Sequence, residues 1–325
     1  MGIKNLNRFL LDQCQKTSIK KTSLKQLRGK TIVVDTSIYM YKFSGQDALL
    51  ENFYLMISLF RKHQIAPLFV FDGKPPPEKR ALLVERHNIK KQAEEKYAEL
   101  EKEMQNIQTS TDGFTGEAQK EMALEMECLK KQFIRIRQKD TKSVKALIQA
   151  YGCSYYEAEG EADKVCAQMV VSGKAWACLS DDMDMFVYGC SRVLRHLSLL
   201  NSTVLLYDME LILQDLGWSE QLFKQIMVIS GTDYNTKLQT SLYETLKWTK
   251  EYVKRCPDRS FDFYEWLLKH TKYVTDYDDL QNTYNMFSIP VEAFEYLDTI
   301  EIVVHENYDK VELDRILKEE GFIFI

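Results

Sequence analysis

The sequence contains no apolar run near the roughly 20 residues that a helical membrane span needs, so no such span is expected. Its first residues, MGIKNLNRFLLDQ, have neither a long apolar core nor a small-residue cleavage site, and no secretory signal is expected. Leu6 stands where a myristoylation signal would carry Ser or Thr. The seven cysteines (14, 128, 153, 166, 178, 190, 256) form no CxxC pair and are odd in number. That excludes a zinc module and points to free thiols in a reducing compartment. The five histidines (63, 87, 196, 270, 305) stand apart from the acidic motifs, so a histidine-based acid–base mechanism has no residues there. Each is read as a surface or core residue. No internal repeat, low-complexity tract or clear linker is visible.

What remains is a chain of 325 residues, 45% hydrophobic and 28% charged, the composition of a soluble globular protein of one large domain or two small ones. The net charge of −5 argues against a polyanion binder, but the charge is segregated. Residues 1–30 carry eight Lys/Arg against Asp12 alone, whereas residues 232–325 carry 11 against 19 acids. Local fields, rather than net charge, steer polyanions.

Residues 157–189, EAEGEADKVCAQMVVSGKAWACLSDDMDMFVYG, organise the chain. One acidic cluster (Glu157, Glu159, Glu161, Asp163) opens a helical run over 162–171. After a turn at 172–174 and a buried strand over 175–179, a second follows (Asp181, Asp182, Asp184). Open α/β sheets bind ligands at the carboxyl ends of strands. On extended backbone Asp182 and Asp184 point the same way, and Glu161 and Asp163 can converge at the helix start. Four converging carboxylates repel. At ~5 Å and an effective dielectric of ~20 each pair costs roughly 3 kcal/mol, and six pairs exceed a typical domain stability of about 5–15 kcal/mol. The acids must either splay into water or be held by cations, and the two clusters together favour a metal site.

The rest of the chain repeats the theme. Residues 2–14 read as a short amphipathic helix. The strand TIVVD ends on Asp35 and leads into a helix, residues 48–63 form a second helix, and the strand PLFVF is followed by Asp72. Strand, acid, helix, repeated, signals a parallel sheet with crossover helices, which would gather the acids along one edge. Residues 78–104 and 117–150 read as long charged helices broken by TSTDGFTG, a projecting hairpin. Lys79 and Arg86 share one helix face. Lys130, Lys131, Arg135, Arg137, Lys139, Lys142 and Lys145 make the return helix basic. Strands are expected at 153–156, 192–197 and 203–207, helices at 211–216 and 220–229, a turn at SGTDY with Asp233, and a continuous helix over 241–254 capped by Thr240 or Ser241. The remainder reads as mostly helical, its aromatics as core.

MGIKNL, VVDTSIYMYKF, FVFDGKPPPEKR, EAEGEADKVCA, SDDMDMFVYG and SGTDY occur in the order and approximate spacing of the flap endonuclease/XPG structure-specific nucleases, which residues 1–234 resemble. The resemblance implies an α/β fold. It would be a twisted, mostly parallel sheet with helices on both faces (a PIN-like nuclease core), a helical arch at about 78–145 and a helical region over 235–325 packed on the core. It implies that Asp35, Asp72, Glu161, Asp163, Asp182, Asp184 and Asp233 hold two divalent metals, Mg²⁺ with Mn²⁺ as substitute, with Asp182 and Asp184 counted among the catalytic residues. All-oxygen ligands suit those ions over zinc. Lys79 and Arg86 match arch-base cations that contact the scissile phosphate, Tyr41 an aromatic that stacks near substrate, and Gly2 an N-terminal residue beside the site. Lys130, Lys131 and Arg135 are expected to touch substrate. Glu157, Glu159 and Asp181 fall outside the pattern.

The resemblance implies a 5′-flap endonuclease with 5′→3′ exonuclease activity on branched DNA, working as a monomer away from membranes. Rivals are a bubble- or junction-cutting member, a nuclease-dead DNA scaffold and a PIN-like ribonuclease. Two departures stand out. The family's Gly-rich helix–turn–helix, which grips duplex and a monovalent ion, is replaced by NTKLQTSLYETLKWTKEYVK without Gly, leaving Lys237, Lys247, Lys250 and Lys254 for the duplex. No sliding-clamp peptide or basic tail is visible. Such a core is similar to divergent forms in large DNA viruses, so the expected location is wherever DNA is replicated, a nucleus or a cytoplasmic viral factory.

Overall fold

The apolar runs become a seven-stranded sheet in the computed structural model, which describes residues 3–109, 116–235, 240–256, 262–274, 276–303 and 308–322. The strands are β1 (Ile19–Ser23), β2 (Thr31–Asp35), β3 (Ala66–Phe71), β4 (Ser154–Glu157), β5 (Ala177–Leu179), β6 (Arg192–Ser198) and β7 (Thr203–Asp208), in the order β1-β7-β6-β5-β2-β3-β4. From β6 to β4 all neighbours are parallel; β7 runs antiparallel to both β6 and β1. The sheet is therefore mostly parallel, as expected, with an antiparallel edge that includes β1, a strand not read from the sequence. Two exposed lysines interrupt the apolar pattern of β1 and hid it; Lys on an edge strand also discourages pairing with another chain.

The strand period of two divides the core. Val33, Leu68, Val70, Cys178 and Val193 point to one face; Ile32, Val34, Phe69, Leu179 and Leu194 point to the other. Helices α1 (Leu6–Gln13), α7 (Ala162–Val171), α8 (Asp184–Val187), α9 (Met209–Leu216) and α10 (Glu220–Ile229) cover the first face. Helices α2 (Thr36–Ser44), α3 (Leu49–Lys62) and α6 (Gln138–Ala150) cover the second. Between them α4 (Arg80–Thr109) and α5 (Gly116–Lys130) form the projecting hairpin, tied by a Lys96–Glu125 ion pair and the buried Ala93 and Leu129.

The helix expected over 117–150 is two helices. Residues 131–137 leave it because tertiary contacts outweigh local propensity. Ile134 packs over Gly45 and offers its carbonyl to Lys90 Nζ at 3.3 Å, and the Arg137 amide donates to Asp140 at 2.7 Å to start α6. The basic residues expected on one return helix are thus divided between α5, a loop and α6.

The C-terminal residues do not form one layer. Helices α11 (Leu242–Arg255), α12 (Phe263–His270) and α13 (Tyr277–Met286) extend the first face, whereas α14 (Lys310–Glu319) buries Leu313, Ile316 and Leu317 on the second. The chain crosses at the outer edge of β4. There the Val303 amide donates to Ser154 Oγ at 2.9 Å, and the Asp309 amide donates to the Ala150 carbonyl at 2.8 Å. Ser241 caps α11, as expected, through the Glu244 amide at 3.3 Å.

Gly73 brings two acidic segments together. Its amide donates to the Gly160 carbonyl at 2.7 Å and the Lys74 amide to the Glu159 carbonyl at 3.0 Å. A β-carbon on Gly73 would stand 2.0 Å from the Ala158 carbonyl oxygen. Gly73→Ala is expected to destabilise the protein by about 3 kcal/mol, the upper end of overpacking costs, and to separate Asp72 from α7. Urea unfolding of the variant checks this, and an unchanged midpoint would refute it.

Candidate active site

All seven predicted acids reach the carboxyl edge of the parallel strands. Asp35 ends β2, and Asp72 directly follows β3. Glu161 is the residue before α7, Asp163 lies in its first turn, Asp184 opens α8, and Asp233 lies in the turn after α10. An open cavity of about 770 Å³ is lined by Asp35, Asp72, Glu161, Asp163, Asp182 and Asp233, facing Lys79, Arg86 and Tyr41. Asp184 is buried close by.

Hydrogen bonds fix much of this edge. Ser180 Oγ donates to Asp35 Oδ2 at 2.8 Å and accepts from the Asp182 amide at 3.1 Å. The Asp184 amide donates to Asp182 Oδ1 at 3.0 Å. Asp182 and Asp184 therefore converge through a side-chain-capped turn entering α8, not through the pleat of an extended strand. Asp72 Oδ1 accepts the Ala162 amide at 2.8 Å at the start of α7, where the helix dipole favours an anion.

Two cations from the base of the hairpin neutralise part of the cluster. Lys79, 7% exposed in the turn before α4, meets Glu161 Oε1 at 2.5 Å, and Arg86 meets Asp233 Oδ2 at 2.8 Å. Burial alone would lower the Lys79 pKa, but Glu161, Asp163 and Asp233 together hold it above its ordinary value. Tyr234 donates its hydroxyl to Glu161 Oε2 and lies with its ring 4.8 Å from Lys79 Nζ. Three of the remaining acids are raised. Burial and the charges of Asp72 and Asp182 push Asp35 up to about 7, against the stabilising Ser180 hydrogen bond. Burial and neighbouring carboxylates push Asp163 and Asp184 well above the carboxylate range.

The other predicted contacts divide. Tyr41 is 43% exposed with its ring 4.8 Å from Lys90 Nζ. Lys131 lines the cavity, with Nζ on Glu127 at 2.7 Å. Lys130 and Arg135 are not in the lining: they pair with Asp47 at 2.7 Å and Glu94 at 2.5 Å. Gly2 and Lys237 lie outside the described residues. Lys247, Lys250 and Lys254 are exposed on α11. Asp181 tethers the edge to β6: it accepts the His196 amide at 2.7 Å and binds Lys42 at 3.2 Å, while its carbonyl accepts Arg195 at 2.7 Å. Sequence reasoning missed Ser180, Tyr234, Lys90 and His87. His87 is exposed, within its reading as a surface or core residue, and also lines the cavity. Ser180 and Tyr234 stand inside SDDMD and SGTDY, so position beside a motif acid was the available signal.

Among the described residues no three acids stand close enough to hold an ion in their present rotamers. The chemistry of the donor set still fits hard divalent cations, being all oxygen without His or Cys. Asp184 Oδ1 is buried without a hydrogen-bond partner, an unmet demand that a cation would satisfy.

The sequence matches the XPG N-terminal domain over residues 1–93 and the XPG I-region over residues 152–233, together more than half of the chain. The chain belongs to the flap endonuclease/XPG family. Within that family it is 27% identical over 301 residues to flap endonuclease 1 of Ovis aries, covering 84% of this chain and 74% of that protein. It is 28% identical over 296 residues to flap endonuclease 1 of Homo sapiens, covering 83% and 73%. The solved catalytic core of Rad2 in complex with DNA substrate shares the fold, with a TM-score of 0.65 at 20% identity over 96% of this chain and 94% of that one.

The raised carboxylates set a pH dependence. An acid whose folded pKa lies above its unfolded value near 4 contributes stability that is present below that value and is lost as pH rises through the folded pKa. Metal-free protein should therefore lose thermal stability as pH rises from about 4 through the Asp35 value of about 7. Millimolar Mg²⁺ should restore more at pH 8 than at pH 5. Calorimetry with and without Mg²⁺ checks this; a midpoint that rises with pH in the absence of metal would contradict it.

Proposed function

We propose that this chain is a metal-dependent, structure-specific 5′ nuclease that cuts branched DNA at the base of a single-stranded 5′ flap and degrades 5′ ends exonucleolytically. The observation that carries the reading is the facing of two charge sets. Seven acids from five separate segments meet at one sheet edge, and two cations from the base of a helical hairpin reach into them. A ribonuclease with the same acidic edge would need neither hairpin nor cations, and a dead scaffold would have no reason to keep repelling acids buried.

Asp35, Asp72, Glu161, Asp163, Asp182, Asp184 and Asp233 would hold two Mg²⁺ ions, with Mn²⁺ able to substitute. Bound there, the ions would activate water and stabilise the leaving oxygen of an in-line displacement at phosphorus. The protein's own residues do the rest. Ser180 and the Asp184 amide orient Asp35 and Asp182. Lys79 and Arg86, now neutralising Glu161 and Asp233, turn to the phosphate oxygens once those acids have another counter-ion, and stabilise the charge that grows there. Tyr41 offers an exposed ring at the cavity mouth for an unpaired base. Helix α4 and the loop that follows α5 line the cavity where a single strand would pass. The chain acts as a monomer where DNA is replicated.

Incubation with 5′-flap, bubble, junction and RNA substrates, with Mg²⁺ and with EDTA, tests the reading. Preferential Mg²⁺-dependent cutting of the flap is expected, and cutting of RNA alone would replace it. Asp182→Ala or Asp184→Ala should abolish cleavage while DNA binding stays equal or tightens, because repulsion toward phosphate is relieved. A double variant that cleaves at the wild-type rate would sink the assignment.

Lys79→Ala and Arg86→Ala should each slow single-turnover cleavage by about two to three orders of magnitude, the effect of losing a transition-state donor. Arg86→Ala should also bind Mn²⁺ more tightly in the absence of DNA, because Asp233 loses its competing partner. Calorimetric titration reads that second effect, and unchanged or weaker Mn²⁺ binding would contradict the counter-ion role.

A further inference from the structure

Beneath Glu161 lies an ordered chain of hydroxyls. Tyr234 gives its one phenolic proton to Glu161 Oε2. The 3.2 Å contact between the Tyr188 and Tyr234 hydroxyls must therefore be donated by Tyr188. Direction is fixed throughout: Tyr188 to Tyr234 to Glu161. Burial and the neighbouring acids hold both phenols protonated, their pKa values pushed far above the ordinary range. The second oxygen of Glu161 takes Lys79 at 2.5 Å. With one oxygen on Tyr234 and the other on Lys79, this carboxylate has no freedom to rotate.

One further ring closes the arrangement. Phe287, 1% exposed at the C-terminal end of α13, packs against Tyr188 with centroids 4.8 Å apart. It meets Tyr234 at 5.3 Å with the planes at 82°, the edge-to-face geometry aromatic pairs prefer. Tyr234 and Phe287 both lie beyond the residues matched by the two XPG regions, and Tyr188 belongs to none of the metal-binding acids.

We propose that Tyr188 and Phe287 are positioning residues for cleavage, acting through Tyr234 to hold Glu161 in place and, before metal binds, Lys79 beside it. The proposal rests on the nuclease reading. It makes α13 part of the device that sets the site, although none of its residues touches the cavity lining. Losing the Tyr188 hydroxyl would leave the Tyr234 oxygen without a donor, and losing the Phe287 ring would free the Tyr234 ring to tilt. Either change loosens Glu161 and Lys79 together.

Tyr188→Phe keeps the ring against Phe287 and removes only the hydroxyl. Its kcat on a 5′-flapped duplex in Mg²⁺ should fall about 5- to 10-fold, the worth of one buried hydrogen bond, with KM unchanged and thermal stability close to wild type. Phe287→Leu should move kcat in the same direction. In a Tyr234→Phe background neither change should lower kcat further, since residues acting through one partner are not additive. Wild-type kcat in Tyr188→Phe, or an equal loss in both backgrounds, would overturn the proposal. If the wild-type chain cuts no branched DNA, the nuclease reading fails by itself, and the positioning claim is read on free protein. The ε-ammonium resonance of Lys79 should shift in Tyr188→Phe without metal or DNA, and an unmoved resonance refutes the linkage.

Discussion

Repulsion among crowded carboxylates governs this molecule. Seven acids brought to one sheet edge oppose folding unless something offsets their charge, and the fold offers three answers at once. Burial raises Asp35, Asp163 and Asp184 so that protons can be retained. Directed donors, the Ser180 hydroxyl and the Ala162 and Asp184 amides, satisfy individual oxygens. Lys79 and Arg86 neutralise Glu161 and Asp233. The third answer links the acids to the hairpin, because both cations belong to its base. A site short of positive charge and an arm that supplies it are thus one electrostatic unit.

The packing is arranged to keep that edge rigid. The strands that lead to Asp35 and Asp72 have a paired neighbour on each side and are covered on both faces. The close approach at Gly73 fastens the end of β3 to the start of α7. Asp181, outside the acidic set, fastens the next segment to β6 through His196 and Arg195. The acids therefore stand on elements that cannot relax apart, so their charge must be neutralised where they are.

Much of this was legible in the sequence where one physical rule acted alone. TIVVD and PLFVF are strands because they are short apolar runs of β-branched and aromatic residues, and Ser241 caps α11 because its side chain reaches the Glu244 amide. The rest depended on contacts between distant segments. The break at 131–137 exists because Ile134 finds Gly45 and Lys90, which helix propensity does not register. β1 depends on its pairing with β7. Phe287, which reaches Glu161 only through Tyr234, could not be read from motifs, because aromatic rings in a helical, acidic region look like ordinary core. The division of the C-terminal residues between two faces was hidden for the same reason, since each helix buries apolar side chains whichever face it joins.

Helix α4 has a mechanical aspect. Its 30 residues rise directly from the turn that holds Lys79, a rod about 45 Å long. Arg86 sits about 9 Å from the pivot at Arg80. For a rod turning at its base, a sweep of ~10 Å at the far end becomes ~2 Å at Arg86, enough to part a hydrogen-bonded ion pair. A rigid rod turning there would have a mechanical ratio of about five to one. A push at the far end of such a rod would arrive at the Arg86–Asp233 pair reduced in distance and multiplied in force.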